Sequence, residues 1–134
     1  MSRLAAFLHP AKLDEQKEVF ISARFCDESG QPVPFTIKAL SQAENEAIGK
    51  MCLKGSKWDD IEYTQRLVLA ATVEPNFADK ELLAAFSPDP SSPLLDPLQL
   101  PGRMLRTGEY GKLVNEIMQL SGFDKDISVE AKNF

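Results

Sequence analysis

Three observations predict an α+β fold: two runs of alternating apolar and polar residues near the N-terminus, a series of capped amphipathic helices after them, and no internal repeat. The expected architecture is an N-terminal antiparallel β-hairpin, or a small sheet, packed against a bundle of about four helices. At 134 residues and 14.9 kDa the chain has the size of one domain, 1–134, with a core of its own. Within it the sequence marks a peripheral N-terminal arm (1–16), a proline-rich connecting segment (87–102) and a short polar C-terminal tail (124–134).

Each element has a physical signature. Over residues 17–25, Val19, Ile21, Ala23 and Phe25 share one face and Phe20, Ser22 and Arg24 the other, the pattern of a half-buried strand. Val33, Phe35, Ile37 and Ala39 repeat it, and Asp27-Glu-Ser-Gly30 between the runs supplies a turn. Pro32 and Pro34 remove two donors at the start of the second strand, so that stretch is expected at a sheet edge.

Ser41-Gln-Ala-Glu44 is a capping box that opens a helix with an apolar stripe of Ala43, Ala47, Ile48, Met51 and Cys52, closed by Gly55-Ser-Lys57 and followed by Trp58 as an anchor. Asp59 or Asp60 caps the next helix, which carries Ile61, Leu67, Val68, Ala70 and Ala71 and ends ahead of Pro75. Asp79 caps a short helix with Leu82, Leu83 and Phe86.

Prolines 88, 90, 93, 97 and 101 leave no room for a long helix in the connecting segment. Its leucines, Leu94, Leu95, Leu98 and Leu100, have two readings: packed onto the core, or offered to a partner. The final helix runs from Thr107 to Leu120 with Tyr110, Leu113, Val114 and Ile117 on one face. Gly122 in the left-handed conformation and Phe123 folded back on Met118 would end it as a Schellman motif.

The residue inventory supplies no catalytic constellation. The single histidine, His9, stands beside Pro10 in the arm, and Cys26 and Cys52 lack metal-ligand spacing or an activating motif, so both are expected as structural thiols. Asp124, Asp126 and Ser128 alternate as in half a calcium loop but lack its glycine and its closing glutamate. Gly108-Glu-Tyr-Gly111 is too short to cradle phosphate, and Asp59, Asp60 and Glu62 read as a favourable first helical turn. No cofactor or metal is expected.

A net charge of −5 and a pI near 4.9 speak against nucleic acid as a partner. The small basic patch of Lys50, Lys54 and Lys57 reads as a helix terminus. Leu4-Ala-Ala-Phe-Leu8 is too short to cross a bilayer or to serve as a signal-peptide core, so no membrane association and a cytoplasmic location are expected.

Six pieces in order carry a resemblance: Leu4-x-x-Phe-Leu-x-Pro10, Ser22-x-Arg-Phe25 with Gly30-Gln-Pro-Val-Pro-Phe35, Ile37-Lys38 with Ala43-Glu-Asn-Glu46, Val73-Glu-Pro-Asn-Phe77, Gly108-Glu-Tyr110 with Leu120-Ser-Gly-Phe-Asp124, and Glu130-Ala-Lys-Asn133. Together they resemble the XkdN-like phage tail assembly chaperone family, although the tail between Asp124 and Ala131 is shorter than that family leads one to expect. The resemblance implies a non-enzymatic phage or prophage factor in the host cell cytoplasm that binds the tape measure protein while the tail tube protein polymerises around it. A minor structural component retained in the virion is the alternative.

Leu94, Leu95, Leu98, Leu100 and Tyr110 are the candidate partner-binding residues. Codons for Ala131, Lys132 and Asn133 can form a slippery A-AAA-AAC run, so a frameshifted longer form of the protein is a further expected product and partner.

Overall fold

The computed structural model describes residues 3–10, 15–89 and 95–123. Its elements are α1 (Arg3–Leu8), β1 (Gln16–Val19), β2 (Phe35–Lys38), α2 (Gln42–Cys52), β3 (Leu53–Lys54), β4 (Lys57–Trp58), α3 (Asp60–Ala71), β5 (Thr72–Glu74), α4 (Lys80–Phe86), α5 (Leu100–Met104) and α6 (Thr107–Leu120). The fold is α+β: an antiparallel sheet of order β1-β2-β5 packs against helices, with α6 against β1, β2 and α3. Ile37, Leu67, Val68, Leu100, Leu113 and Ile117 form the solvent-free centre, contributed by β2, α3, α5 and α6. The β3–β4 hairpin is a separate small ribbon.

Helix starts follow the sequence closely. Ser41 Oγ accepts from Glu44 N at 3.2 Å while Glu44 Oε1 accepts from Ser41 N at 3.0 Å, closing the capping box. Asp59, rather than Asp60, caps α3 by accepting from Glu62 N at 3.0 Å, which leaves Asp60 to accept from Trp58 Nε1 at 3.2 Å. Asp79 caps α4 through Leu82 N at 3.1 Å.

The end of α6 is a full Schellman motif. Phe123 N donates to Met118 O at 2.7 Å and Gly122 N to Gln119 O at 3.1 Å, with Gly122 at φ 94°.

The strands depart from the alternation. Only Gln16–Val19 pairs as β1. Ile21 is buried, but Ala23 is exposed rather than sharing its face. Beyond Val19 the chain leaves the sheet and exchanges strand pairing for side-chain bonds to α6.

Likewise the second strand starts at Phe35, and Val33 is exposed, because Asp27 organises the connection instead. Its carboxylate accepts from Ser29 N, Ser29 Oγ and Gln31 N at 2.9, 2.7 and 3.0 Å, and Gly30 takes φ 83°. From Phe35 onward the strand is central, not an edge: β5, a strand absent from the sequence reading, pairs along its other side with a bulge between Thr36 and Ile37.

In α2 the apolar stripe narrows to Ile48 and Cys52, since Ala43 and Ala47 face solvent. Trp58 is half exposed and packs at 5.3 Å on Tyr63. Its strand turns back on Leu53 through Gly55 at φ 65°. Lys54, from the basic patch, reaches Glu62 at 3.4 Å.

Candidate functional site

The structure divides the five candidate partner-binding residues. Leu95 and Leu100 are buried in the core, and Leu95 N is held at 3.0 Å by Ser87 Oγ, itself donating to Leu83 O at 2.8 Å. Leu98 is half-buried at a surface groove. Tyr110 is partly buried beside α3, where burial pushes its phenol up. Leu94, Ala131, Lys132 and Asn133 lie outside the described residues, as does the 124–134 tail.

The groove runs between α2 and α3. Ile48, Met51, Arg66, Leu69, Ala70 and Leu98 line about 240 Å³. Arg66 is its one charged wall, and its guanidinium turns to the Glu62 carboxylate (Nε to Oε2, 3.5 Å), which Lys54 also approaches. Cys52 is wholly buried, its thiol pushed up by desolvation and by the Glu62 carboxylate, so it packs without being poised to react.

Next along the chain stand Leu53, Trp58 and Ile61, each about half exposed or more. Ile61 borders a second depression of about 250 Å³ with Asp60, Thr64 and Tyr110.

Sequence reasoning missed Met51, Leu53, Trp58 and Ile61 as surface residues. A legible signal existed: Met51, Leu53 and Trp58 add apolar residues around the end of a helix whose stripe already has Ile48 and Cys52 to bury. One narrow stripe cannot cover them all.

Away from the residues lining these depressions, three polar contacts fasten the N-terminal segment to α6. Lys17 Nζ meets Glu116 Oε2 at 2.9 Å, Lys112 Nζ donates to Phe20 O at 2.7 Å, and the Arg24 guanidinium forks onto Glu109 with Nε to Oε2 at 3.1 Å. Positions 109, 112 and 116 share one helical face, so the pairing is an antiparallel zipper. Arg24 also donates to Met104 O at 3.2 Å and lies 5.0 Å over the Phe25 ring.

The Arg24 guanidinium, helped by the Ser22 hydroxyl and the Arg106 amide, holds the Glu109 carboxyl at about 2. Two motifs far apart in sequence, Ser22-x-Arg-Phe25 and Gly108-Glu-Tyr110, therefore meet as one ion pair.

Among the described residues no three His, Cys, Asp or Glu side chains gather as a metal ion would require, and no helix is long and apolar enough to cross a membrane.

Known proteins share this construction. The model of the phage XkdN-like tail assembly chaperone protein family matches residues 4–132. Among curated relatives, the uncharacterized protein YqbN of Bacillus subtilis (strain 168) is 33% identical over 123 residues, covering 84% of this chain and 78% of its own. XkdN of the phage-like element PBSX, from the same organism, is 28% identical over 143 residues, covering 96% and 93%. A crystal structure of YqbN superimposes with a TM-score of 0.75 at 31% identity, covering 92% of this chain and 99% of that one. The chain belongs to the XkdN-like phage tail assembly chaperone family.

Proposed function

We propose that the protein binds the tape measure protein during tail assembly, holding it soluble while the tail tube protein polymerises, and that it does so by binding, without catalysis. The observation that carries this reading is the largely apolar groove of Ile48, Met51, Leu69, Ala70 and Leu98, on a molecule that also exposes Leu53 and Trp58. An amphipathic helix of a client can lay its apolar face along such a groove, and a flexible methionine at the rim adapts to different side chains. Tyr110 and Ile61 line a separate depression between the starts of α3 and α6.

Assembly takes place in the host cytoplasm, and neither nucleic acid nor membrane is a partner. A frameshifted longer form, arising at Ala131, Lys132 and Asn133, would share the same surface.

Co-expression with the tape measure protein of the same genome tests the proposal. The client is expected in the soluble fraction only when the chaperone is present, and Met51→Asp with Leu98→Asp is expected to return it to the pellet while circular dichroism shows a folded chaperone. A client equally soluble alone, or equally rescued by the double variant, overturns the assignment of this groove.

A further inference from the structure

A different surface lies at the open edge of the sheet. In the order β1-β2-β5, β5 pairs only on its β2 side, so its outer edge faces no strand among the described residues. That edge borders a shallow depression of about 520 Å³ lined by Val73, Glu74, Pro75, Asn76, Asp79 and Leu82. Val73 is 43% exposed and, with Pro75 and Leu82, supplies an apolar floor. Glu74 supplies one carboxylate, Asp79 a second whose Oδ1 caps α4 by accepting from Leu82 N and whose negative charge still faces the depression, and the lining holds no cation.

The Val73-Glu-Pro-Asn-Phe77 motif builds this place. Phe77 is buried and packs 6.4 Å from Phe35, anchoring the motif, and Asn76 Oδ1 accepts from Ala78 N at 3.0 Å to shape the turn. Val73 and Glu74 are left on the surface with no ion pair among the described residues.

An unpaired strand edge is a template for main-chain hydrogen bonds, and pockets beside it select alternate side chains of whatever is added. We propose that β5 accepts an extended partner segment of alternating aliphatic and basic residues. Its backbone adds a strand to the sheet, its aliphatic side chains meet Val73 and Leu82, and its Lys or Arg side chains meet Glu74 and Asp79. Charge complementarity chooses this occupant: two carboxylates without a counter-cation disfavour an acidic segment and favour a basic one. The site is independent of the groove between α2 and α3.

The test uses the full chain and a fluorescent peptide, acetyl-Lys-Val-Lys-Val-Lys-Val-amide, with anisotropy as the readout. Saturable binding is expected, weakened about tenfold by Glu74→Lys and unaffected by Met51→Asp. The same peptide N-methylated at alternate residues keeps its charge but loses main-chain donors, so its binding is expected to disappear. It needs no protein variant, which keeps the test decisive if Glu74→Lys fails to fold.

No binding, binding that tolerates N-methylation, or loss of binding on Met51→Asp overturns the proposal. So does a self-association of the protein that Glu74→Lys abolishes, since a second copy would then occupy the edge. Because the client-solubility assay reads the other groove, failure here leaves the tape-measure proposal standing, and the reverse.

Discussion

Helices α2 and α6 begin alike and are used differently. Both have a Glu at the third position that accepts from the backbone amide of the residue before the helix, Glu44 from Ser41 N and Glu109 from Arg106 N at 2.8 Å. Both bury two apolar residues, Ile48 and Cys52 in α2 and Leu113 and Ile117 in α6. Yet α6 commits its polar face as well, through Glu109, Lys112 and Glu116, to the N-terminal segment, whereas α2 leaves Met51 at the rim of an open groove. A helix occupied on two faces holds the fold together. One occupied on a single face keeps the other available for a partner.

The largest test of this contrast truncates one residue from each helix. Leu113→Ala removes a side chain with no solvent exposure and is expected to cost about 2–5 kcal/mol in chemical denaturation, from lost burial and the cavity left behind. Met51→Ala, at 45% exposure, is expected to cost less than about 1 kcal/mol. Equal losses would break the distinction between a structural and an available face.

A smaller effect concerns the capping box. Ser41→Ala removes the acceptor for Glu44 N and is expected to cost about 1 kcal/mol, read as a lower denaturation midpoint with an unchanged slope. If the midpoint does not move, the start of α2 is held by packing instead.

The subtlest is the pH dependence of the zipper. Glu109 titrates at about 2 in the fold against an ordinary 4.5, so the stabilisation from its pairing with Arg24 is fully present above about pH 4.5 and is lost as the pH falls toward 2. Glu109→Gln is expected to lower the melting temperature at pH 7 and to flatten its fall over that acid window. A variant whose acid profile matches the parent would assign the pH sensitivity elsewhere.

How far the residues alone reach differs between regions. The cap of every helix from α2 onward except α5 and α6 was legible as a Ser or Asp, because a side chain bonding to an amide three positions ahead is a local event. The Schellman ending at Gly122 and Phe123 was legible for the same reason. Alternation over 17–25 misled, because a period of two says that a segment is extended and not what it pairs with. Val19 answers to a strand, whereas Phe20 and Arg24 answer to a helix about ninety positions away.

The same limit applied to the candidate site. Leu95, Leu98 and Leu100 look alike in a proline-rich stretch, and only the packing of α5 decided that Leu100 fills the core while Leu98 reaches the groove. β5 has three residues, too few for any periodicity to be seen, yet it makes β2 a central strand. What the sequence determined by itself was therefore helices α2, α3, α4 and α6 with their starts, the α+β class and the family, all of which are written in near-neighbour chemistry or in ordered motifs, whereas the short helices α1 in the arm and α5 in the proline-rich segment raise the expected four helices to six among the described residues. The tertiary structure decided the strand partners, the Arg24–Glu109 union and which apolar residues remain on the surface. Those depend on contacts between residues distant in the chain, and no local spacing encodes them.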